Sequence, residues 1–376
     1  MLPVGHCTGL EGVTVGFGDA PAVLRDVTLL AAPGEVLAVV GPSGCGKTTA
    51  LRAVAGLQAV RSGTVRVGGR DVTRIPTPHR NVAMVFQETA LIPFLDVATN
   101  MATASATKVS PDVASRVVER GKRLGIGRLM SRMPRTLSPG EAGLAGVGRA
   151  LVRKPEVYLL DEPLAHLDAG HRIRTRRTIV EFVKRTGVAA IYVTHDQSEA
   201  MAVADRLAVL RDGVVVQVGA PRTVYSHPVD TFVAGFVGSP EIGMLPATVV
   251  ITGAGAGFRV GGRTVPLWDV VPEGVRDGQP VLLGLRPEDV GEAVSGADPA
   301  AVAIPAVVQT VERIGRTAVV RAAVAVPGEG DGAVLTARVD AASAVERGQR
   351  LELAVDGRRA HVFDPLSGVA LAHPSP

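Results

Sequence analysis

An eight-residue run, Gly41-Pro-Ser-Gly-Cys-Gly46-Lys47-Thr48, constrains this 376-residue chain more than any other segment. It fits the pattern G-x-x-x-x-G-K-[ST]. A short apolar strand, Glu35-Val-Leu-Ala-Val-Val40, precedes it, and a helical stretch from Lys47 to about Leu57 follows. A continuous apolar strand of this kind belongs in a buried parallel sheet. Glycines let the loop backbone curl until successive N–H groups converge on phosphate oxygens. The helix beginning at Lys47 aims its positive end at the same anion. The Lys47 ammonium can bridge terminal phosphates, and the Thr48 hydroxyl can ligate Mg²⁺. Gly41, Ser43, Gly44, Cys45, Gly46, Lys47, Thr48 and Thr49 are therefore the candidate nucleotide-binding residues. Cys45 is read as a small loop side chain, because a reactive thiol needs a lowered pKa and access to solvent.

Composition narrows the setting. Hydrophobic residues make up 46% and charged residues 20%, the balance of a folded chain. Mean hydropathy is +0.26. The apolar residues are mostly Ala and Val in short runs, and none approaches the roughly 18–20 needed to cross a bilayer. The first residues lack a basic segment followed by an apolar one, so no secretory signal is expected. Two cysteines, Cys7 and Cys45, exclude a disulfide framework and favour a reducing compartment. The pI of 9.4 accompanies a net charge of only +4. Arginine supplies 35 of the 40 basic residues and keeps its charge to high pH. Residues 241–376 hold 12 Arg against 16 Asp and Glu, a net of −4, so residues 1–240 carry +8. A basic first part suits an anionic ligand such as a nucleotide.

The order of elements separates two domains. Val157-Tyr-Leu-Leu160 and Ala189 to Val193 are further apolar strands, each followed by a polar loop and a helix, and this alternation predicts an α/β sheet. Residues 97–150 are richer in helical patterning, with Ser110-Pro111-Asp112 as a helix start. After about residue 240 helical periodicity nearly vanishes. Six Val-rich strands are expected there: Ala247 to Ile251, Val281 to Leu285, Val302 to Val311, Ala318 to Val326, Val334 to Val339 and Leu351 to Val355. They predict a small all-β, OB-like barrel. The boundary is placed between 240 and 241, with a helical subdomain at about 88–150.

Two more strand ends carry chemistry. Asp161, at the tip of Val157–Leu160, can hold Mg²⁺, since hard cations select carboxylate oxygen. Glu162 can orient or deprotonate an attacking water. Two adjacent acids after a strand also suit a solvated turn. His195, after Ile191-Tyr-Val-Thr194, can hydrogen-bond a terminal phosphate, although a single histidine is more often structural. The combination favours function: lysine, carboxylates and histidine all follow strands of one α/β domain, whose carboxyl edge is where open sheets bind ligands.

With these residues in hand, the chain resembles the ATP-binding cassette (ABC) ATPases. The resemblance rests on the loop through Thr49, Val85-Phe-Gln87, Leu137-Ser-Pro-Gly-Glu141, Leu160-Asp-Glu-Pro163, Leu167-Asp168 and Thr194-His195, in family order over residues 10–240. It implies an α/β P-loop NTPase fold with a helical subdomain, and hydrolysis of ATP with Mg²⁺. It further implies that Gln87 contacts Mg²⁺ and couples to a membrane partner. Phe17 would stack on adenine where the family usually has tyrosine. Ser138, Gly140 and Asp168 would meet the ATP held by a partner subunit, either a second copy or a different ATPase. Phe232 to Pro240, Leu285-Arg-Pro-Glu-Asp289 and His361-Val-Phe-Asp-Pro365 look like the TOBE-type regulatory barrel of maltose and multiple-sugar importer ATPases. That resemblance implies transmembrane permease subunits and an extracytoplasmic solute-binding protein as partners. It implies a cytoplasmic location, peripheral on the inner face of the plasma membrane. Importer ATPases for polyamines, sulfate or iron share much of this barrel, and the rival reading is a non-transport soluble ABC ATPase that acts on nucleic acid or the ribosome. A nucleic-acid partner is not expected, since the barrel is acidic and poor in aromatics.

The sequence departs from the family at residues 137–149, where Leu-Ser-Gly-Gly-Gln is usual. Pro139 has no N–H to donate. Glu141 puts a carboxylate where an amide is usual, and an ionised carboxylate would repel phosphate. Leu144 stands where arginine is usual. Either the segment still starts a helix and the change is neutral, since proline is tolerated in a first turn, or the composite site is weakened. Weakening predicts that Pro139→Gly and Glu141→Gln raise hydrolysis several-fold.

Overall fold

Buried side chains at Val13 and Val15 of β1 (Thr8–Val15), and at Val27, Leu29 and Ala31 of β2 (Leu24–Ala31), show the two-residue period of a half-buried strand, and the two strands pair antiparallel. The computed structural model describes residues 6–18, 20–88, 90–103, 110–252, 255–260, 263–268, 275–293, 301–325 and 332–374. They form two compact units, 1–221 and 222–376.

In the first unit the chain continues through β3 (Val36–Val40), α1 (Lys47–Ala55), β4 (Ser62–Val67), β5 (Arg70–Asp71) and β6 (Val82–Val85). Then come α2 (Val97–Ala102), α3 (Pro111–Arg123), α4 (Pro139–Val152), β7 (Val157–Asp161) and α5 (Ala169–Thr186). β8 (Ala189–Val193), α6 (Gln197–Val203), β9 (Arg206–Arg211) and β10 (Val214–Gly219) complete it. A four-stranded antiparallel sheet has the order β2-β1-β4-β5, and a six-stranded sheet has the order β10-β9-β3-β8-β7-β6. The pairs from β9 to β6 in that second order are parallel. Every residue of β3, β7 and β8 is buried, which is why each reads as an unbroken apolar run. Ala50, Leu51 and Val54 of α1 share one core with Leu10 and Val27 of the first sheet and Val39 and Ile191 of the second. Burial on both sides therefore fixes the helix that follows the Gly-rich loop. Between residues 88 and 150 the described elements are α2, α3, α4 and single 3₁₀ turns. Ser110 caps α3 through its side chain, with Pro111 at the first helical position.

The compact division falls before the boundary expected at 240/241. The segment 222–240, with α7 (Pro221–Ser226) and α8 (Thr231–Phe236), belongs to the second unit, where Arg286 is a buried anchor. The Arg286 guanidinium donates to the carbonyls of Ala234 (3.0 Å), Val237 (2.6 Å) and Tyr225 (2.8 Å). It also lies over the Tyr225 ring. Backbone bonds from Thr231 to Gly368 and from Ala370 to Val229 complete the attachment. Beyond it, two antiparallel sheets of six and five strands share one core, into which Phe258, Leu283, Val320 and Leu353 project from both. The six expected strands are present as Gly243–Thr252, Pro280–Leu285, Val302–Ile314, Thr317–Val324, Ala333–Asp340 and Arg350–Val355. Residue 326, the expected end of one of them, lies outside the described residues. The sheets also contain Gly255–Val260, Arg263–Trp268, Val290–Glu292, His361–Phe363 and Ala370–Ala372.

His361 is buried in this unit, with its Nδ1 3.1 Å from Nδ1 of His373. Burial, with Arg286, His373 and His227 nearby, pushes its pKa down to about 3. The unfolded chain takes up a proton near pH 6.5 that the folded chain refuses, so stability falls as pH drops below that value and levels off only near 3. The unfolding free energy of the full chain, read by urea titration, should fall between pH 7 and 4, by at most about 1.4 kcal/mol per pH unit from this group. His361→Gln should flatten that slope, and an unchanged slope would remove His361 as its cause.

Candidate functional site

Parallel pairing sets the site. Val193 of β8 lies opposite Val39 of β3 and Asp161 of β7, so three strands end at one level. The loop after β3, Asp161 at the end of β7 with Glu162 beyond it, and His195 past β8 therefore leave the sheet at one edge.

The loop carries its own curvature. Gly44 and Gly46 have φ of 81° and 106°, a region other residues rarely enter. Gly46 forms the N-terminal cap of α1. Lys47 is buried, and its Nζ donates to the carbonyls of Gly41 (2.7 Å) and Pro42 (2.9 Å). The ammonium thus lies along the inner side of the loop. Ser43 and Gly44 are exposed at its tip, and Thr49 is half-buried on α1. Cys45 is buried, with its Sγ 3.9 Å from Lys47 Nζ. Burial pushes the thiol pKa up, with Lys47 opposing, which suits packing rather than reactivity.

Thr48 Oγ1 donates to Asp161 Oδ1 at 3.2 Å. Burial raises the Asp161 pKa, with Glu162 adding to the rise and the Thr48 hydrogen bond opposing it. A cation beside Asp161 would offset that cost. Among the described residues no group of three or more His, Cys, Asp or Glu could hold a metal. One carboxylate and one hydroxyl fit Mg²⁺ instead, which takes few protein ligands and completes its shell with water and substrate phosphates.

Glu162 follows in a left-handed conformation, φ 47°, and its N–H donates to Val193 O at 2.9 Å. A non-glycine residue there is strained and persists only where its surroundings hold it. The turn presents its carboxylate to two neighbours: His195 Nδ1 at 3.1 Å and Gln87 Nε2 at 3.4 Å. Glu162, Gln87 and His195 are thus one cluster beside the loop, and a water held there could be oriented by carboxylate, amide and imidazole together.

The remaining expected residues lie outside this cluster, all but Phe17 at helix starts. Ser138 caps α4 in a capping box: its Oγ accepts from Glu141 N–H (3.2 Å), and Glu141 Oε2 accepts from Ser138 N–H (3.0 Å). Pro139 opens the helix, where its missing N–H costs nothing. The Ser138 N–H bond to the carboxylate lowers the Glu141 pKa, with the Ser138 hydroxyl and nearby Arg132 and Arg128 adding to the fall. The expectation that an ionised Glu141 would face phosphate is not what the geometry shows: the carboxylate turns back onto its own helix start. Leu144 is buried. Gly140 lies against the chain at His166, whose carbonyl a Cβ would meet at 2.9 Å. Asp168 caps α5, accepting from His171 N–H at 3.1 Å. Phe17 is half exposed just past β1. Three residues escaped the sequence reading. Arg61 donates to the carbonyls of Gly18 and Ala20, holding the turn beside Phe17. Arg149 donates to Ala90 O, tying α4 to the segment after Gln87. Arg172 is taken up below. Backbone-carbonyl partners such as these leave no pattern in sequence.

Comparison with known proteins decides the family. The ABC transporter pattern matches residues 24–165, the MalK OB fold domain 238–290 and the TOBE domain 283–363. The chain is 40% identical, over 94% of its length and 93% of the relative, to the sn-glycerol-3-phosphate import ATP-binding protein UgpC of Chromohalobacter salexigens. It belongs to the ABC transporter family. Other members include the diacetylchitobiose uptake system ATP-binding protein MsiK of Streptomyces coelicolor, 40% identical over 90% of this chain and 92% of MsiK. The trehalose/maltose import ATP-binding protein MalK of Thermococcus litoralis is 38% identical over 94% and 96%. Among solved structures, the ATP-binding cassette MJ0796, dimeric in a post-hydrolysis state with ADP and Pi, superposes with TM-score 0.52. It shares 25% identity and covers 56% of this chain and 97% of its own.

For this ABC chain the capping box favours a neutral signature. Glu141→Gln retains both capping bonds and should leave ATP turnover within about twofold, while Ser138→Ala should cost about 1 kcal/mol of stability by urea denaturation. A several-fold rise in turnover with Glu141→Gln would restore the weakened-site reading.

Proposed function

We propose that this ABC transporter chain is the ATP-hydrolysing subunit of an importer whose solute is a carbohydrate. One observation carries the reading. The Glu162 carboxylate, strained into place, meets both Gln87 and His195 one residue beyond a buried carboxylate bonded to Thr48. That arrangement orients a water for in-line attack on a phosphate lying over the Gly-rich loop. Bound Mg²⁺, held by Thr48, Asp161 and Gln87, would neutralise phosphate charge. In the reaction Lys47 exchanges its loop carbonyls for terminal phosphate oxygens. Glu162 accepts the water proton, and His195 holds the glutamate and donates to the departing phosphate.

Two chains, or this chain and a second ATPase, sandwich ATP between one loop and the other's α4 start. Ser138 Oγ accepts from Glu141 N–H, and its own proton can turn from the Glu141 carboxylate to a phosphate across that interface. Asp168 joins the same interface, and Phe17 stacks on the adenine ring. Closure on ATP would drive permease subunits between two states. Leu57, Met84, Phe86 and Ile92 line an open groove, and Phe86 also lines a second hollow with Gln87, which suits a permease segment as the occupant. Among the described residues no helix is long and apolar enough to cross a membrane. The chain would sit on the cytoplasmic face, docked on permeases that receive solute from a binding protein. A carbohydrate fits the relatives named for trehalose, maltose and diacetylchitobiose.

Lys47→Ala should weaken nucleotide binding at least about tenfold, read by calorimetry. Glu162→Gln should bind ATP normally, lower turnover by about a hundredfold or more and accumulate an ATP-bound dimer in gel filtration. Full turnover in the glutamate variant would overturn its role as base.

A further inference from the structure

Arg172 lies on the first turn of α5 and touches two segments that the reaction uses separately. Its Nη2 donates to the carbonyl of Leu167, the residue before Asp168, at 3.2 Å. Its Nη1 pairs with Oδ2 of Asp196, the residue after His195, at 3.5 Å. The side chain is part-exposed, with its Nε alone buried and without a hydrogen-bond partner, so the guanidinium bridges the two turns from their outer side. Asp196 is fixed in its other bonds too. Its Oδ1 accepts from Glu199 N–H (2.9 Å) to cap α6, and its N–H donates to Thr194 Oγ1 (3.0 Å). Asp168 likewise caps α5. One planar fork therefore joins the starts of two helices, each beside a residue of the site. Arg177 on the same helix pairs only one turn away, with Glu181, as a solvated surface pair does.

We infer that Arg172 is a positioning residue that holds the Asp168 turn and the His195 loop in register, so that a partner pressing on Asp168 sets the distance from His195 to Glu162. The inference rests on the function proposed above, in which Asp168 meets a partner and His195 holds Glu162. Among the described residues the polar partners of Arg172 are Leu167 and Asp196, outside the loop after β3 and not Glu162. Its loss should therefore reach the rate and not nucleotide binding. A fork donating to a carboxylate and a carbonyl at once is a guanidinium property, and a lysine reproduces only part of it.

The test uses the full chain, measuring kcat and KM for Mg–ATP. Arg172→Ala should lower kcat about ten- to a hundredfold while KM stays within about twofold. Asp196→Asn keeps the helix cap and should show the same split. Arg172→Lys should recover part of the rate. The double variant should be no slower than the slower single one, since both remove one contact. Wild-type kcat in Arg172→Ala overturns the inference, as does a double loss equal to the product of the single losses. Equal falls in rate and ATP affinity overturn it too. Glu162→Gln and His195→Ala serve as controls. If these two retain turnover, the proposed function fails and the inference with it. If they lose turnover while Arg172→Ala does not, only the inference fails.

Discussion

Everything in the site depends on the parallel register of β3, β8 and β7. Val193 stands opposite both Val39 and Asp161, so the loop, the carboxylates and His195 leave the sheet at one height. Slipping one of these strands by a residue would turn its side chains to the opposite face and move its polar end by about 3.3 Å. The strands resist such a slip because they are buried along their whole length, and α1 is packed between two sheets behind the loop. A rigid apolar core thus determines where a few polar groups stand.

Electrostatics at that edge is arranged rather than merely accumulated. Asp161 is buried against the preference of a carboxylate, held by Thr48, and its pKa rises. Glu162, next in sequence, is turned away by its positive φ into contact with Gln87 and His195. Two adjacent acids therefore occupy different environments, one suited to a cation and one to a water. The backbone strain at Glu162 is what separates them.

Much of this was legible in the sequence, for physical reasons. Strands buried on both faces read as continuous apolar runs, so β3, β7 and β8 announce themselves, and their polar ends mark the edge. In the second unit, six Val-rich strands stand out, whereas Gly255–Val260 and Arg263–Trp268 do not. The first opens with glycines and the second contains Pro266, and both residue types weaken a strand signal. β6 has only four residues and no punctuation before Gln87. The attachment of residues 222–240 to the second unit depends on Arg286 reaching backbone carbonyls far away in sequence, which residue types do not encode. Ser138 and Glu141 are different. Their spacing is that of a capping box, and comparison with the usual family residues draws attention to lost amides instead of the cap that replaces them.

The central claim is that the Gly-rich loop of one chain and the α4 start of another enclose the same terminal phosphate. Photocleavage of the full chain trapped with Mg–ADP and orthovanadate tests it directly, because bound vanadate cuts backbone beside the phosphate position on irradiation. Fragments ending within residues 41–48 and within 138–140 should appear in one sample. Cleavage confined to residues 41–48 would contradict a shared site.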